Sequence, residues 1–417
     1  MNLRTTDFAF MAQAAQQDAD DALGHYREQF NLPEGLIYLD GNSLGPLPKS
    51  VPPAMHRLLN DEWGDQLIGG WNHSDWIGLP ERLGARIAHV LGAQPHEVIA
   101  CDSISVNLIK LIALALQAAA PRTKVLMEEG QFPTDGYVAA GLARLMGETR
   151  MTLHTVPRSA LSEALDDETA VIVLSHVHYV SSEKFDLKEW TSRAHDQGAL
   201  VIWDLAHSAG VMPLELGTAG VDFATGCTYK FLCGGPGGPS FVYAADRLLN
   251  QFSQPLWGWM GHQDPFAFAH DYVPAKGARQ FLTGTPSILA MTAAYASLAL
   301  FLDLDLNAVQ SKSRALTGRL IEGVAERGLD LKLATPRAPA DRGSHVSFRH
   351  PSAYAIVQAM IEHGVIGDFR APDILRFGIH PLVNGYQDIA RCLTILQEVL
   401  EQAQYKAPRF SERQRVT

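Results

Sequence analysis

Gly198-Ala199-Leu200-Val201-Ile202-Trp203-Asp204-Leu205-Ala206-His207-Ser208-Ala209-Gly210, followed after a short stretch by Gly226-Cys227-Thr228-Tyr229-Lys230, is the part of the chain whose reading decides the fold. Gly198 to Trp203 is an unbroken apolar run that ends in a carboxylate, which suits a strand buried on both faces of a parallel sheet. Ligands of such sheets bind beyond the carboxyl ends of the strands, so Asp204 is expected where a ligand lies. Lys230 follows Val221-Asp222-Phe223-Ala224-Thr225 and precedes Phe231-Leu232, a setting that desolvates an ammonium. A nucleophilic lysine needs the lowered pKa that desolvation brings. Taken singly, Asp204 reads as a helix N-cap or a surface acid, and Lys230 as a solvated charge.

Together they read differently. An aspartate that closes one strand, with a lysine that closes the next about 25 residues later, is the arrangement by which pyridoxal phosphate enzymes hold their cofactor. The lysine amine condenses with the aldehyde. The aspartate sits against the pyridine nitrogen and favours its protonated form, which makes the ring an electron sink.

Around this centre, helix-like and strand-like segments alternate. Arg82–Leu91, Leu108–Ala120, Gly136–Leu145 and Leu187–Gln197 carry helical patterns, while Glu97–Ala100, Lys124–Met127 and Ala170–Ser175 are short apolar runs. That order predicts an α/β fold with a mostly parallel sheet covered by helices on both faces. After about residue 300 the texture changes. Leu329, Leu331 and Leu333 alternate, as does His345–Phe348, and Ala353–His363, Ile366–Phe369, Leu375–Ile379 and Gln387–Gln402 read as helix, strand, strand and terminal helix. The expected division is an amino-terminal segment over 1–60, a large domain over 61–287 and a smaller carboxyl-terminal α/β domain over 288–417.

The chain has 417 residues, an apolar fraction of 47% and a formal charge of −11. The length suggests two domains, and the acidity argues against nucleic acid, whose phosphates demand basic patches. Residues 1–30 include Asp18, Asp20, Asp21, Arg27 and Glu28 and do not read as a secretory signal. Ile288–Leu302 is too short to span a bilayer and reads as a buried helix. No membrane partner is expected. Four cysteines, at 101, 227, 233 and 392, show no CxxC pairing, which indicates neither a zinc site nor a disulfide frame and fits a reducing cytoplasm. No metal site is expected.

Trp203 to Gly210, followed by Gly226 to Gly238, resembles the cofactor core of the kynureninases, fold-type I pyridoxal phosphate hydrolases related to the class V aminotransferases. Ile37-Tyr38-Leu39-Asp40-Gly41-Asn42-Ser43-Leu44-Gly45 resembles the family's amino-terminal segment, Phe132-Pro133-Thr134-Asp135 its ring-stacking motif, and Leu375-Arg376-Phe377-Gly378 its carboxylate-binding one. The resemblance extends over most of the chain and implies the fold-type I architecture, a large domain with a mostly parallel seven-stranded sheet and a smaller carboxyl-terminal α/β domain.

The resemblance implies a set of site residues. A phosphate dianion seeks backbone amides at a helix start, and Asp102–Asn107 supplies one; the implied contacts are Ile104, through its main chain, and Ser105. Phe132 offers a face for the pyridine, with Pro133, Thr134 and Asp135 from the same motif beside the cofactor. Ser175, at the end of an apolar run, is placed to reach the ring's substituents, and His207 is implied as a further contact. Tyr229 is assigned to the phosphate and to proton transfer; class V relatives such as cysteine desulfurases usually carry His there. Trp259 and Thr285 match positions that reach the phosphate of the neighbouring subunit, which implies a homodimer with shared active sites. Thr285 stands where eukaryotic relatives tend to carry Asn, so the chain resembles the bacterial type.

Arg376 lies in an otherwise apolar strand, where a guanidinium needs a reason to be. A bidentate clamp on the substrate α-carboxylate supplies one, and an ion pair with Asp368 or Asp373 is the alternative. Ser43 and Trp71 are weaker candidates near the substrate's aromatic end. The implied reaction is hydrolysis of L-kynurenine, and of 3-hydroxy-L-kynurenine, to anthranilate or 3-hydroxyanthranilate and L-alanine, in tryptophan catabolism. Lys230, Tyr229 and Asp204 are the catalytic candidates. The alternative is another class V enzyme, an aminotransferase or a cysteine desulfurase.

Overall fold

The apolar runs do become strands, and they pair in an order that puts the sites at strand ends. The computed structural model describes residues 5–249, 251–410 and 412–413. Helix α1 (Thr5–Ala19) is followed by three two-residue strands, β1 (Phe30–Asn31), β2 (Ile37–Tyr38) and β3 (Leu47–Pro48). The main sheet contains β4 (Val98–Ala100), β5 (Lys124–Glu128), β6 (Thr152–Val156), β7 (Thr169–Ser175), β8 (Leu200–Asp204), β9 (Phe223–Cys227) and β10 (Ser240–Ala244). Its order is β4-β10-β9-β8-β7-β5-β6. Neighbours from β9 across to β6 run parallel, and β10 is antiparallel to both β9 and β4. The mostly parallel seven-stranded sheet expected from the sequence is therefore present.

The helices used below are α2 (Val51–Arg57), α3 (Leu79–Leu91), α4 (Ile104–Ala118), α5 (Pro133–Met146), α6 (Leu187–Asp196) and α7 (Ile288–Ser297). Period-two alternation sends successive β8 side chains to opposite faces. Ile202 packs in the cluster that holds Leu108, Leu111 and Ala115 of α4, while the Trp203 indole donates to Thr191 Oγ1 of α6 at 3.1 Å. Each buried Leu or Ile here is worth roughly 1.5–3 kcal/mol, so both helices are tied to the sheet by several such contacts. Helix α4 begins four residues before the expected Leu108. Ser103 caps it, its hydroxyl accepting from Val106 N at 3.4 Å. The buried helix expected over Ile288–Leu302 is helical to Ser297 and then a 3₁₀ turn, and it is buried on one face only: Met291 and Ala294 are enclosed, whereas Leu289 is 45% exposed.

Toward the carboxyl terminus come α8 (Leu306–Glu326), β11 (Lys332–Leu333), β12 (His345–Arg349), α9 (Ala353–Glu362), β13 (Val365–Ile366), β14 (Asp368–Arg370), β15 (Ile374–Gly378) and α10 (Tyr386–Glu401). An antiparallel sheet of order β11-β12-β15-β14 forms here, and β13 pairs in parallel with β2. The core of this region joins Ile37 and Leu39 to Leu316, Val357, Phe377 and Leu393.

The chain divides into two compact units. One joins the stretch up to Lys49, the short segment Val180–Lys184 and everything from Leu304 on; the other comprises Ser50–Tyr179 and Phe185–Asp303. These limits differ from the divisions at 60/61 and 287/288 read from the sequence. Ser50 Oγ donates to Ala296 O at 3.0 Å, and α2 packs on α7, so both flanking stretches belong with the large sheet. The amino-terminal segment belongs instead with the small one, through β2. No single helix among the described residues is long and apolar enough to cross a membrane.

Candidate active site

Adjacent parallel strands end together, and that brings the first group of side chains into contact. Ser175 and Asp204 are register partners at the ends of β7 and β8. The Ser175 hydroxyl lies 3.4 Å from Asp204 Oδ2 and 3.4 Å from Asp135 Oδ2. Asp204 Oδ1 accepts from Ala206 N at 2.9 Å, and Asp135 Oδ2 accepts from Gln131 Nε2 at 3.2 Å. Lys230 stands just past β9, its Nζ 3.3 Å from His207 Nε2 and 5.8 Å from the centre of the Phe132 ring. Asp135, Ser175, Asp204 and His207 are buried, whereas Phe132 is 42% exposed.

Burial drives the electrostatics. It pushes Asp204 up from the usual carboxylate range, against the pull of Lys230, the Ala206 amide and Ser175. Asp135 is pushed well up by burial and then by the neighbouring Asp204 charge, with Lys230, Ser175 and Gln131 opposing. Two buried acids share one lysine, and Asp135 Oδ1 has no hydrogen-bond partner. Such a pair wants an additional cation or proton. Burial, together with Cys227 beside it, raises the Tyr229 phenol, which therefore holds its proton through the neutral range.

These residues fit a group that carries a protonatable ring nitrogen, an aldehyde and a phosphate. Asp204 can take the nitrogen's proton in a hydrogen bond, Phe132 leaves a ring face open, and Lys230 is within reach of the same space. Ile104 and Ser105, half-buried in the first turn of α4, offer amides to an anion.

The second group lies in the small unit. Strands β14 and β15 form a hairpin whose register sets Asp368 opposite Arg376. Both are 1% exposed. Arg376 Nε donates to Asp368 Oδ1 at 2.8 Å and Nη2 donates to Oδ2; Nη2 also donates to Ser43 Oγ at 3.0 Å. Arg370 pairs with Asp368 Oδ2 at 2.7 Å and donates to Ser43 Oγ at 3.3 Å. With its carbonyl turned to the guanidinium, Asn42 accepts from Arg376 Nε at 3.0 Å.

A family model described as the Kynureninase C-terminal domain matches residues 309–396. The kynureninase of Deinococcus radiodurans is 46% identical over 400 residues, covering 94% of this chain and 97% of its own. That of Burkholderia mallei is 44% identical over 412 residues, 97% of this chain and 99% of its own. The chain belongs to the kynureninase family. Among solved structures, a cysteine desulfurase from Thermococcus onnurineus superposes with a TM-score of 0.76 at 19% identity, over 91% of this chain and 98% of its own. A cystine C–S lyase in complex with cysteine persulfide gives 0.75 at 18%, over 88% and 98%. At such identities the likeness speaks for the fold.

In this member of the kynureninase family the structure assembles Phe132, Asp135, Ser175, Asp204, His207 and Lys230, with Pro133 and Thr134 opening α5 beside them. Ser43 and Arg376 meet. Trp71 belongs to the other unit, edge-on to Trp76 at 5.8 Å. Trp259, 38% exposed, and Thr285 lie at the surface of the single chain. Three charged residues joined to these sites were not singled out from the sequence as site residues. Asp40 and Arg370 belong to the Arg376 cluster. Lys110, fully buried in α4, donates to Asp102 and to Phe281 O at 2.6 Å, which secures the turn ahead of Ile104. The legible signal for Arg370 was the hairpin: two strand-like runs around Ala371-Pro372-Asp373 set Asp368–Arg370 beside Ile374–Arg376.

Proposed function

We propose that this chain hydrolyses L-kynurenine, and 3-hydroxy-L-kynurenine beside it, to anthranilate or 3-hydroxyanthranilate and L-alanine, with pyridoxal phosphate as cofactor and in tryptophan catabolism. The observation that carries this reading is the full-length similarity to relatives named kynureninase. The geometry agrees with it. When bound, the cofactor supplies an aldehyde for the substrate amine and a ring that withdraws electrons from the bonds at the neighbouring carbons.

The chain's own residues do the rest. Lys230 Nζ would hold the cofactor by its aldehyde and, when the substrate is in place, take the proton from Cα, with His207 Nε2 close enough to hold the amine in position. Asp204 keeps the proton on the ring nitrogen. Phe132 covers the ring, and the amides of Ile104 and Ser105 receive the phosphate. Water would add to the γ-carbonyl carbon, which leaves as the carboxylate of anthranilate, and Tyr229, which keeps its proton, would donate to Cβ as the Cβ–Cγ bond breaks. Arg376 takes the α-carboxylate, and Ser43 orients the guanidinium.

Trp259 and Thr285 act across a homodimer in this reading. Support comes from the exposed aromatic group around Trp259: Phe266 at 54%, Phe268 at 74% and Trp257 at 58% are more than a monomer ordinarily leaves in water. The enzyme is proposed to work in the cytoplasm. The desulfurase alternative needs a reactive thiolate, and all four cysteines are buried, with burial pushing Cys101 and Cys392 up to about 12.

The test mixes purified protein, pyridoxal phosphate and L-kynurenine, and follows loss of substrate absorbance and the rise of anthranilate fluorescence. Equimolar anthranilate and alanine are expected. A cofactor-loaded protein that releases neither would overturn the reaction, and a protein that takes up no cofactor would overturn the Asp204 and Lys230 assignments.

A further inference from the structure

The Arg376 cluster has a charge balance that the proposed reaction must disturb. Asp40 and Asp368 face Arg370 and Arg376, two anions against two cations. Asp40 is built into the cluster by its backbone. Gly378 N donates to Leu39 O at 2.7 Å and Gly41 N to Gly378 O at 3.3 Å, so the turn that carries Asp40 is laced to the end of β15 two residues beyond Arg376. The Asp40 carbonyl accepts from Ser43 N at 3.0 Å and Leu44 N at 3.1 Å, and the Ser43 hydroxyl reaches the Asp40 carboxyl. Ser43 thus touches both acids and both arginines. The other titratable neighbours are His380, whose Cβ would lie 3.0 Å from a Cβ placed on Gly41, and Tyr38, whose hydroxyl donates to Leu44 O at 2.7 Å.

A substrate carboxylate on Arg376 would be a third anion for two guanidiniums in a buried place. A buried uncompensated charge is strongly unfavourable, so one acid must either leave or become neutral. Asp368 is not the one to yield. It is buried, accepts from Nε and Nη2 of Arg376 and pairs with Arg370, and its oxygens hold both guanidiniums in position. Asp40 is half-buried on a turn and interacts through a hydroxyl.

We propose that Asp40 is a positioning residue that takes up one proton when the substrate carboxylate binds Arg376, so that the cluster stays neutral. This rests on the assignment of the carboxylate to Arg376. The two acids already differ in this sense. Burial and the adjacent Asp368 charge push Asp40 up to about 7, against Ser43, Arg376 and Arg370. Burial also presses on Asp368, but the Arg376 and Arg370 guanidiniums outweigh it and hold that carboxyl below its usual range. Binding then selects the protonated form of Asp40. Apparent affinity for a carboxylate ligand weakens about tenfold for each pH unit above the Asp40 midpoint.

The test uses the holoenzyme and 4-oxo-4-phenylbutanoate, the substrate skeleton without its amines, which cannot react with the cofactor. Calorimetric titration about one unit above neutrality, in buffers of different ionisation enthalpy, counts the protons taken up. The wild type is expected to take up close to one per ligand. Asp40→Asn is expected to take up none and to bind with a pH-independent Kd. Wild-type binding without proton uptake, or uptake that persists in Asp40→Asn, overturns the proposal. The neutral carboxamide analogue separates the two assignments: if it binds as tightly as the carboxylate, the Arg376 reading fails and the proposal falls with it. Should Asp40→Asn not fold, infrared difference spectra of the wild type decide, since a protonated carboxyl band must appear on binding above neutrality, and its absence refutes the uptake.

Discussion

Two pairs of carboxylates, one fully buried and one only in part, serve opposite ends in this molecule. Asp135 and Asp204 lie at strand ends in the large unit with Lys230 as their nearby cation, and burial pushes both up. Asp40 and Asp368 lie in the small unit against two guanidiniums, and only Asp40 is pushed up, while Asp368 stays charged. The first pair is short of positive charge and suits a partner that brings it, such as a protonated ring nitrogen. The second is balanced and accepts an anion only with a proton. The same residue type is turned into a cation site or an anion site by the number of arginines beside it.

The comparison breaks most sharply at the lysine. Lys230→Ala should cut anthranilate release by about 10³-fold or more while the thermal melt keeps its cooperativity; near-normal turnover would remove Lys230 from the chemistry. Arg376→Lys keeps the charge but loses the fork, and kcat/KM should fall about 10²-fold through KM. An unchanged KM would mean that the carboxylate binds elsewhere. A third measurement sharpens the contrast through pH. The folded-state pKa of Asp135 lies well above its ordinary 3.8, so the folded cofactor-free protein binds that proton more tightly than the unfolded chain. Stability is then lost as pH rises from about 4 through the raised value, and Asp135→Asn should flatten the fall in Tm over that window. An equal slope in the variant would contradict the assigned shift. The smallest effect is expected at the ring: Phe132→Leu should weaken cofactor affinity roughly fivefold, the worth of about 1 kcal/mol of stacking, in a fluorescence titration.

Much of this was legible in the residues. β7 and β8 lie inside the sheet, each an apolar run closed by a polar residue, so their ends, and with them Ser175 and Asp204, could be placed from the run alone. β6 could not, because it is an edge strand whose Thr152–Val156 side chains are half-buried or exposed and form no apolar run. Resemblance led to Arg376 and Ser43, and Asp368 stood as one of two possible partners of Arg376, but Asp40 was hidden. Asp368 meets Arg376 through hairpin register, and Asp40 meets them through a bridge from Asp40 to Gly378, a separation of more than 300 residues that no local pattern reports. The limits of the two units differ from those read in the sequence for a similar reason. Helix α2 is assigned by what it packs on, α7, and that contact is invisible in composition.

The small unit is assembled from three separate stretches of chain, and β13 finds its parallel partner, Ile37–Tyr38, far back in the sequence. The region that carries the family match, 309–396, is therefore not a module that can be cut out and expressed. A fragment beginning near Leu304 would leave Val365–Ile366 without a neighbour and strip Ile37 and Leu39 from its core, an open edge of the kind that invites aggregation. Any attempt to swap substrate specificity between relatives by exchanging carboxyl-terminal halves would have to carry the first fifty or so residues along with them, and a nick at one junction would leave the two units still joined by the others.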